Sequence, residues 1–553
     1  MRELHRFLLL WAVVLGGAGI AVVALPRYGI HIVAFGFLYA ALATSWNWMR
    51  STGLFSLGQA AFFGAGALTQ AWLVTTGRIS PWLAFGVSAA AGALAALPLI
   101  PALRLGPANL ALATLAYAIL LKGLAANLPV FGMGFLLPAT PGFNGAAPPV
   151  VATLAVLALA GSLGYEAFLG RPGGRAATAI RQAPETTIAL GIDSIGARWR
   201  PLTLSAAATA LAGALYVHLV GSVETTVVFS PTFSVLPIVL GMLGGALHPL
   251  GGILGTLALY PLDELILRPA FPEAHTLAYG LALIGLLLVR PEGLLNARVP
   301  RIPASTSLRC LPHEPFTLTV SGLIVRRHAT SVLNDVSFVV EPGQILRVFG
   351  PNGAGKTSLL LAIAGRLPAA QGAILFNGAP PPRDAAARAR RGLARTFQTP
   401  GPLPEWTVRE NVAIAAERAG ALDEVDRLLE ELELTALSDR PAGQLSVGEG
   451  KRLELARVLA FRPAVLLLDE PLAGLGGGET EDLLSVIRAL AGEGVTIVII
   501  EHTMQAMVRL VDRLIVLDHG QVIAAGAPEA VTRDERVIEA YLGRKWMGER
   551  AGD

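Results

Sequence analysis

Up to about residue 290 the chain is a succession of apolar runs, separated by short loops that carry arginine, proline or glycine. A membrane-spanning helix needs about 20 predominantly apolar residues, and by that measure the pattern predicts about ten spans. They lie near 8–26, 29–46, 54–76, 82–103, 107–131, 149–170, 202–222, 232–246, 249–268 and 274–290. The first follows Arg2 and Arg6 and reads as an uncleaved anchor rather than a signal peptide, because further spans follow at once. The piece 232–246 ends at Ala246-Leu247-His248-Pro249 and has the length of a re-entrant segment. Past residue 291 the pattern changes. Charges return, and apolar runs shrink to strand length, as at Thr317–Val325, Ser331–Val340, Ile345–Phe349, Val465–Leu468 and Thr496–Glu501. Residues 291–315, with Pro291, Pro300, Pro303, Pro312 and Pro315, have linker composition. The expected order is a multi-span α-helical membrane domain over 1–290 and a linker over 291–315. An α/β domain over 316–545, with a β subdomain and a helical subdomain, and a tail over 546–553 complete it.

Composition sharpens this division. Of 553 residues, 53% are hydrophobic and 15% charged, against about 25% charged in soluble domains. A net charge of +3 is too small to argue for a nucleic-acid partner, and none is expected. The single cysteine, Cys310, excludes an intrachain disulfide. Arg2, Arg6, Arg50, Arg104, Arg171, Arg175, Arg181, Arg198, Arg200 and Arg290 fall on one side of the expected topology, and Arg27, Arg78 and Arg268 on the other. The richer side is expected to be cytoplasmic, which places the α/β domain in the cytoplasm.

Within the spans, Gly241 and Gly245, and again Gly251 and Gly255, form G-x-x-x-G pairs that suit close helix packing. Lys122 falls inside the fifth span, where an ionisable group is a functional candidate unless it snorkels. Asp263 and Glu264 fall near a span end, where interfacial solvation suffices. None of these is assigned to a substrate site. The loop Ala177–Leu190 is polar and short-helical, and is expected to project from the membrane as a docking helix.

The chemistry is concentrated in the second half. Gly350-Pro351-Asn352-Gly353-Ala354-Gly355-Lys356-Thr357, followed by Ser358, is a G-x-x-x-x-G-K-T loop between an apolar strand and a helix-like run to Gly365. Glycines allow backbone N–H groups to close around phosphates, and the helix N-terminus adds a favourable dipole. Lys356 supplies a charge for the terminal phosphates and Thr357 a hydroxyl for Mg²⁺. The apolar run Val465–Leu468 ends in Asp469 and Glu470, at the strand end that faces ligand in α/β folds. Asp469 is expected in the Mg²⁺ shell, and Glu470 beside the attacking water. Gln398 is a candidate Mg²⁺ ligand and γ-phosphate sensor, and His502, ending the strand Thr496–Glu501, a candidate γ-phosphate contact. Ser446-Val447-Gly448-Glu449 opens a helix, Lys451–Ala460, as a second phosphate binder or an ordinary cap. Since Lys356 already holds a phosphate, the simplest reading has this segment act on ATP held by a partner in a head-to-tail dimer.

Together these residues resemble the ATP-binding-cassette transporter family over nearly the whole chain. By that resemblance Gly350–Thr357 is the Walker A loop, Gln398 the Q-loop, Ser446–Glu449 the signature, Asp469-Glu470 Walker B and His502 the switch histidine. The stretches LSVGEGKRLELAR, DEPLAGL and VIEAYLG resemble the ATPase subunit of branched-chain amino acid importers. Gly53–Leu73, Ile180–Asp193 and Gly241–Gly255 resemble a permease subunit of the same importers. The chain departs from the family at Val447 and Glu449 in the signature, at Gly476 after Walker B, and at Arg327 and His328 where a base-stacking aromatic is expected. Between Val408 and Gln444 the helical subdomain is short. Glu449 sets a carboxylate near a partner's phosphates unless it turns away, so the ATP site completed by this signature is expected to be the weaker one.

The resemblance implies an ATP-hydrolysing importer subunit of the cytoplasmic (inner) membrane, using ATP and Mg²⁺ and working by alternating access. Its substrate would be a branched-chain or other aliphatic amino acid, with urea or a short amide as the alternative. It implies an extracytoplasmic solute-binding protein, and either a second permease and ATPase or a second copy of this chain. An exporter fits less well, since exporters have six long spans. A non-transporting regulator fits poorly with intact Lys356, Glu470 and His502.

Overall fold

The computed structural model describes residues 16, 26–128, 130–131, 135–137 and 148–270, then 272, 274, 277, 280–281, 284–285, 288–290, 292–297 and 302. In the second half it describes 316–327, 330–396, 401–501, 510–534 and 536–537. The chain divides into two compact units. One holds residues up to 181 together with 194–300. The other holds 182–193 together with 301–553.

The first unit is helical: α1 Arg27–Arg50, α2 Gln59–Thr75, α3 Pro81–Ala96, α4 Pro107–Asn127, α5 Pro148–Leu169, α6 Pro172–Gln182, then α8 Ser194–Val220, α9 Thr232–Gly244 and α10 Gly251–Leu262, with α7 placed in the second unit. Several begin on proline, whose fixed φ suits the first helical turn and whose missing N–H is no loss there. Among the described residues six helical stretches have the length and apolarity to cross a membrane: 27–50, 81–99, 107–127, 148–169, 194–220 and 225–244. The described residues therefore do not confirm the expected count of about ten. The segment 54–76 yields a 17-residue helix, because Ser56 and Gly58 sit in a non-helical entry to it. The segment 249–268 yields α10 and then a π-turn, Asp263–Leu267. The segment 8–26 falls largely outside the described residues, and 274–290 is described only at scattered positions. The span expected at 202–222 starts earlier, at Ser194, with Pro201 inside the helix.

Small residues set the packing. A Cβ on Gly66 of α2 would lie 2.0 Å from the Ala210 carbonyl oxygen of α8, and one on Gly213 of α8 would lie 2.2 Å from the Phe63 carbonyl oxygen. These helices touch backbone to backbone, where only glycine fits. The α9–α10 hairpin is equally close, with 1.8 Å from a Gly255 Cβ to the Leu240 carbonyl oxygen. Buried polar groups tie the helices together. Thr209 Oγ1 donates to Gln59 Oε1 at 2.7 Å, and Ser45 Oγ lies 2.8 Å from Thr209 Oγ1. Gln70 Nε2 lies 2.9 Å from His218 Nε2, and Ser88 donates to Gln70 Oε1 at 3.1 Å. Lys122 is half-buried on α4. Asp263 is only 2% exposed, so it is not solvated at an interface as its place near a span end suggested. Glu264 pairs with Arg268 at 2.5 Å, one helical turn on.

The second unit holds a six-stranded sheet and a three-stranded antiparallel sheet. The strands are β1 Leu318–Arg327, β2 Thr330–Val340, β3 Ile345–Phe349, β4 Gln371–Phe376, β5 Leu393–Arg395, β6 Val465–Asp469, β7 Thr496–Ile500, β8 Arg513–Asp518 and β9 Gln521–Gly526. The large sheet runs β9-β8-β3-β7-β6-β5, parallel except for the β8–β9 hairpin. The small sheet runs β2-β1-β4. Strands β3, β6 and β7 are buried along their whole length, as the central strands of a parallel sheet covered on both faces must be. The helices are α7 Pro184–Ala189, α11 Lys356–Ile363, α12 Ala385–Ala389, α13 Val408–Ala419, α14 Val425–Glu431, α15 Val447–Ala460, α16 Gly477–Gly492 and α17 Pro528–Val531.

The polar loop expected to dock over 177–190 is divided. Residues Gly174–Ile180 are buried within α6. The chain breaks at Ala183, where φ is −140°, and α7 starts at Pro184. Proline disfavours helical backbone in the residue before it. The piece that belongs to the second unit is thus the shorter one, 182–193.

Candidate functional site

Strand β3 ends at Phe349 and the phosphate loop begins at once. Gly350, Gly353 and Gly355 have φ of 149°, 85° and 102°. Side chains rarely adopt these values, so the loop can curl only because glycine stands there. Gly355 is the N-cap of α11. Lys356 is the first residue of that helix. Its Nζ donates to the Gly350 and Pro351 carbonyls at 2.8 and 2.9 Å, so the ammonium is folded back across the loop. Burial lowers the Lys356 pKa, and the Glu470 and Asp469 carboxylates oppose that fall. Both carboxylates therefore act electrostatically on the loop lysine, from the C-terminal end of β6.

Asp469 is 2% exposed, and burial raises its pKa. The Arg395 guanidinium, 3.3 Å away at the end of β5, opposes the rise. The Asp469 N–H donates to Thr396 Oγ1 at 3.2 Å. Glu470 has φ of +50°, uncommon for a residue with a side chain. Clamps from β7 and from α15 hold that turn. The Glu470 N–H donates to the Ile500 carbonyl of β7 at 2.9 Å. Lys451 Nζ, from α15, donates to the carbonyls of Glu470 and Pro471 at 3.2 Å each, and to that of Ala473.

Ser446 caps α15 in a reciprocal capping box. The Ser446 N–H donates to Glu449 Oε2 at 2.7 Å, and the Glu449 N–H donates to Ser446 Oγ at 3.3 Å. The carboxylate at 449 is thus folded onto its own helix start, and the Ser446 N–H holds it below the ordinary carboxylate range. Val447, by contrast, is 64% exposed.

The segment 182–193 packs on the same unit. Thr186 Oγ1 donates to the Gly401 carbonyl at 2.8 Å, and Arg457, from α15, donates to the same oxygen at 2.9 Å. Glu185 pairs with Arg366, and Arg390 donates to the Gly191 carbonyl at 2.8 Å. Gln182 and Glu405 exchange two hydrogen bonds, at 3.0 and 3.2 Å.

Gln398 and His502 lie outside the described residues. The loop Gly350–Thr357, Asp469 and Glu470 converge, and the Ser446–Glu449 segment opens the helix whose Lys451 reaches the Glu470 turn. Sequence reasoning passed over Lys451, Arg395, Gly401 and Arg457. Nothing in their local pattern separates them from surface cations or loop glycines.

A parallel sheet with a phosphate loop after a central strand, and paired carboxylates ending the strand two places away, defines a nucleotide-hydrolysing cassette. Residues 333–473 match the family model for ABC transporters, and residues 29–290 that for the permease component of branched-chain amino acid transport systems. Residues 521–545 match a model for branched-chain amino acid ATP-binding cassette transporters. The high-affinity branched-chain amino acid transport ATP-binding protein BraF of Pseudomonas aeruginosa is 36% identical over 248 residues, 41% of this chain and 97% of that one. The lipopolysaccharide export system ATP-binding protein LptB of Haemophilus influenzae is 32% identical over 239 residues, 41% of this chain and 98% of that one. A nucleotide-free ATP-binding cassette from an ABC transporter, known as a crystal structure, is 32% identical, with a TM-score of 0.39 over 41% of this chain and 100% of that one. The chain belongs to the ABC transporter family, in its branched-chain amino acid group, with permease and ATPase components in one polypeptide. It is a membrane protein that couples ATP hydrolysis to transport.

Proposed function

We propose that this chain is an importer subunit moving branched-chain or other aliphatic amino acids across the cytoplasmic membrane, with its ATPase unit in the cytoplasm. The observation that carries this reading is the permease match over 29–290, joined in one chain to the cassette. The cassette alone does not give direction, since it is similar both to BraF and to the ATPase of an export system. The asymmetry of arginine-bearing loops supports the orientation.

In this reading Gly350–Ser358 hold the ATP phosphates and Lys356 the terminal ones. Thr357, Gln398 and Asp469 would ligate Mg²⁺. A hydroxyl, an amide oxygen and a carboxylate are the oxygen donors that ion takes, and Asp469 is already buried beside Lys356. Bound Mg²⁺ would neutralise charge on the phosphates. Glu470 would orient the attacking water and His502 contact the γ-phosphate. Ser446, Val447, Gly448 and Glu449 would face ATP held by a partner, so turnover needs a second cassette, either another subunit or another copy of this chain. An extracytoplasmic binding protein would deliver the solute. The segment 182–193 would carry motion between nucleotide and membrane units, through Thr186 and Gly401.

The test is uptake of labelled leucine, isoleucine, valine and urea by cells expressing the wild-type chain or Glu470→Gln at equal level. Selective loss of the branched-chain amino acids is expected. Selective loss of urea would replace the substrate class, and unchanged uptake of all four would remove the importer reading.

A further inference from the structure

Strand β3 is buried at all five positions, and four of its residues are apolar; the fifth is Arg347. This arginine, at the centre of the sheet, is 1% exposed. Burying a guanidinium costs several kcal/mol unless it is well partnered, so its contacts matter. It lies in register with Ile499 on β7 and Leu514 on β8. Its guanidinium carbon sits 4.8 Å from the centre of the Phe349 ring, two residues on and next to Gly350. Its Nη2 donates to the Glu501 carbonyl at 2.8 Å. The side chain therefore runs along the strand toward the ligand end of the sheet.

Glu501 is the residue before His502. It is 3% exposed, and its Oε1 accepts from the Leu472 N–H at 2.7 Å, two residues past Glu470. The Glu470 N–H is itself bonded to Ile500. Arg347 thus grips, from the strand that feeds the phosphate loop, a residue whose carboxylate holds the Glu470 turn.

We propose that Arg347 is a positioning residue for ATP hydrolysis: it holds Glu501, and through Glu501 sets the turn of Glu470. The geometry argues for turnover rather than nucleotide affinity, because the hydrogen bond of Arg347 goes to Glu501, whose carboxylate holds the turn after Glu470. A positive φ at Glu470 is sparsely populated, and such backbone persists only where its surroundings over-determine it. Removing the grip on Glu501 loosens one of those constraints. This inference rests on the reading of Glu470 as the hydrolytic residue.

The experiment is ATPase kinetics on the purified full-length transporter, with binding of a fluorescent ATP analogue measured on the same preparation. Arg347→Met keeps the length of the side chain and removes its donors and charge. The expected result is a fall in kcat of about tenfold, the size of effect that 1.4 kcal/mol of lost transition-state stabilisation produces. KM and analogue binding should stay within about twofold. A kcat within about twofold of wild type overturns the proposal, as does a parallel loss of turnover and binding. If Arg347→Met yields no folded protein, Arg347→Lys decides. It is shorter and lacks the planar fork, so kcat must fall about threefold with KM unchanged, and a wild-type kcat overturns the proposal. Glu470→Gln is measured alongside. Persistent turnover in that variant would sink the reading of the site itself. A dead Glu470→Gln with an unaffected Arg347→Met would sink only the role given to Arg347.

Discussion

Gly401 carries two hydrogen bonds on one carbonyl, and a methyl group there tests what they do. An ideal Cβ at 401 would lie 2.5 Å from Thr186 Oγ1. Ordinary contact begins near 3.4 Å, so about 1 Å of movement is required. Residue 401 is not among the positions with positive φ, so alanine brings no backbone strain of its own. The cheapest escape is rotation of Thr186, which gives up its 2.8 Å bond to the Gly401 carbonyl. A neutral hydrogen bond is worth about 0.5–1.5 kcal/mol net, and one from a charged donor such as Arg457 about 1.5–3 kcal/mol. If only Thr186 turns, docking of the 182–193 segment weakens by about 1 kcal/mol, roughly fivefold. If the 401 carbonyl moves as well, both bonds go and the loss is about 2–4.5 kcal/mol. The assay is leucine uptake and ATP hydrolysis on one reconstituted preparation. Gly401→Ala should lower solute moved per ATP by about fivefold or more, with hydrolysis less affected. Thr186→Ala removes the clashing oxygen, and the atom then nearest a 401 Cβ is the residue-186 Cβ at 3.9 Å. The double variant should therefore behave like Thr186→Ala alone, a strong non-additivity. Additive losses, or a Gly401→Ala chain that couples like wild type, would refute the link.

Other outcomes follow from the same geometry. Lys356→Met removes the ammonium that spans the phosphate loop, and ATP hydrolysis should fall to background in a phosphate-release assay. Lys451→Met releases three carbonyls of the 470–473 turn, and kcat should fall about tenfold with KM little changed, as expected for an interaction felt in the transition state. The Glu449 carboxylate is held low by the Ser446 N–H. A lowered folded-state value means its stabilisation is complete above the unfolded carboxylate value and is lost as pH falls through the lower folded value. Melting temperature measured from neutral pH to about pH 3 should therefore drop less steeply in Glu449→Gln than in wild type.

Much of the cassette was legible because its chemistry is local in sequence. A glycine loop with Lys-Thr after an apolar strand, and a second apolar strand ending in two carboxylates, name their places in an α/β sheet without any tertiary information. The clamps were not legible. Lys451 looks like any cation on an exposed helix turn, and Arg457 reaches Gly401 only because α15 packs beside the docking segment. Arg347 did carry a signal, a lone charge inside a buried apolar strand, but what it holds is set by the register of β3 on β7. In the membrane half, composition marks apolar stretches well and helix limits poorly. The α2 segment loses its first turns to Ser56 and Gly58, and Asp263 is buried where a span end suggested solvation. Residues 177–180 read as polar loop, yet Gly174–Ile180 are enclosed within the membrane unit, since alanine and threonine pack without needing water.

The most direct test of the central claim is leucine transport into proteoliposomes. They would contain the chain with the partner subunits and binding protein proposed for it, with Mg-ATP on the side of the ATPase unit and labelled leucine on the other. The account predicts ATP-dependent accumulation on the nucleotide side, lost in Glu470→Gln although that variant still binds nucleotide. Movement of leucine away from the nucleotide side, or accumulation that survives Glu470→Gln, would contradict it.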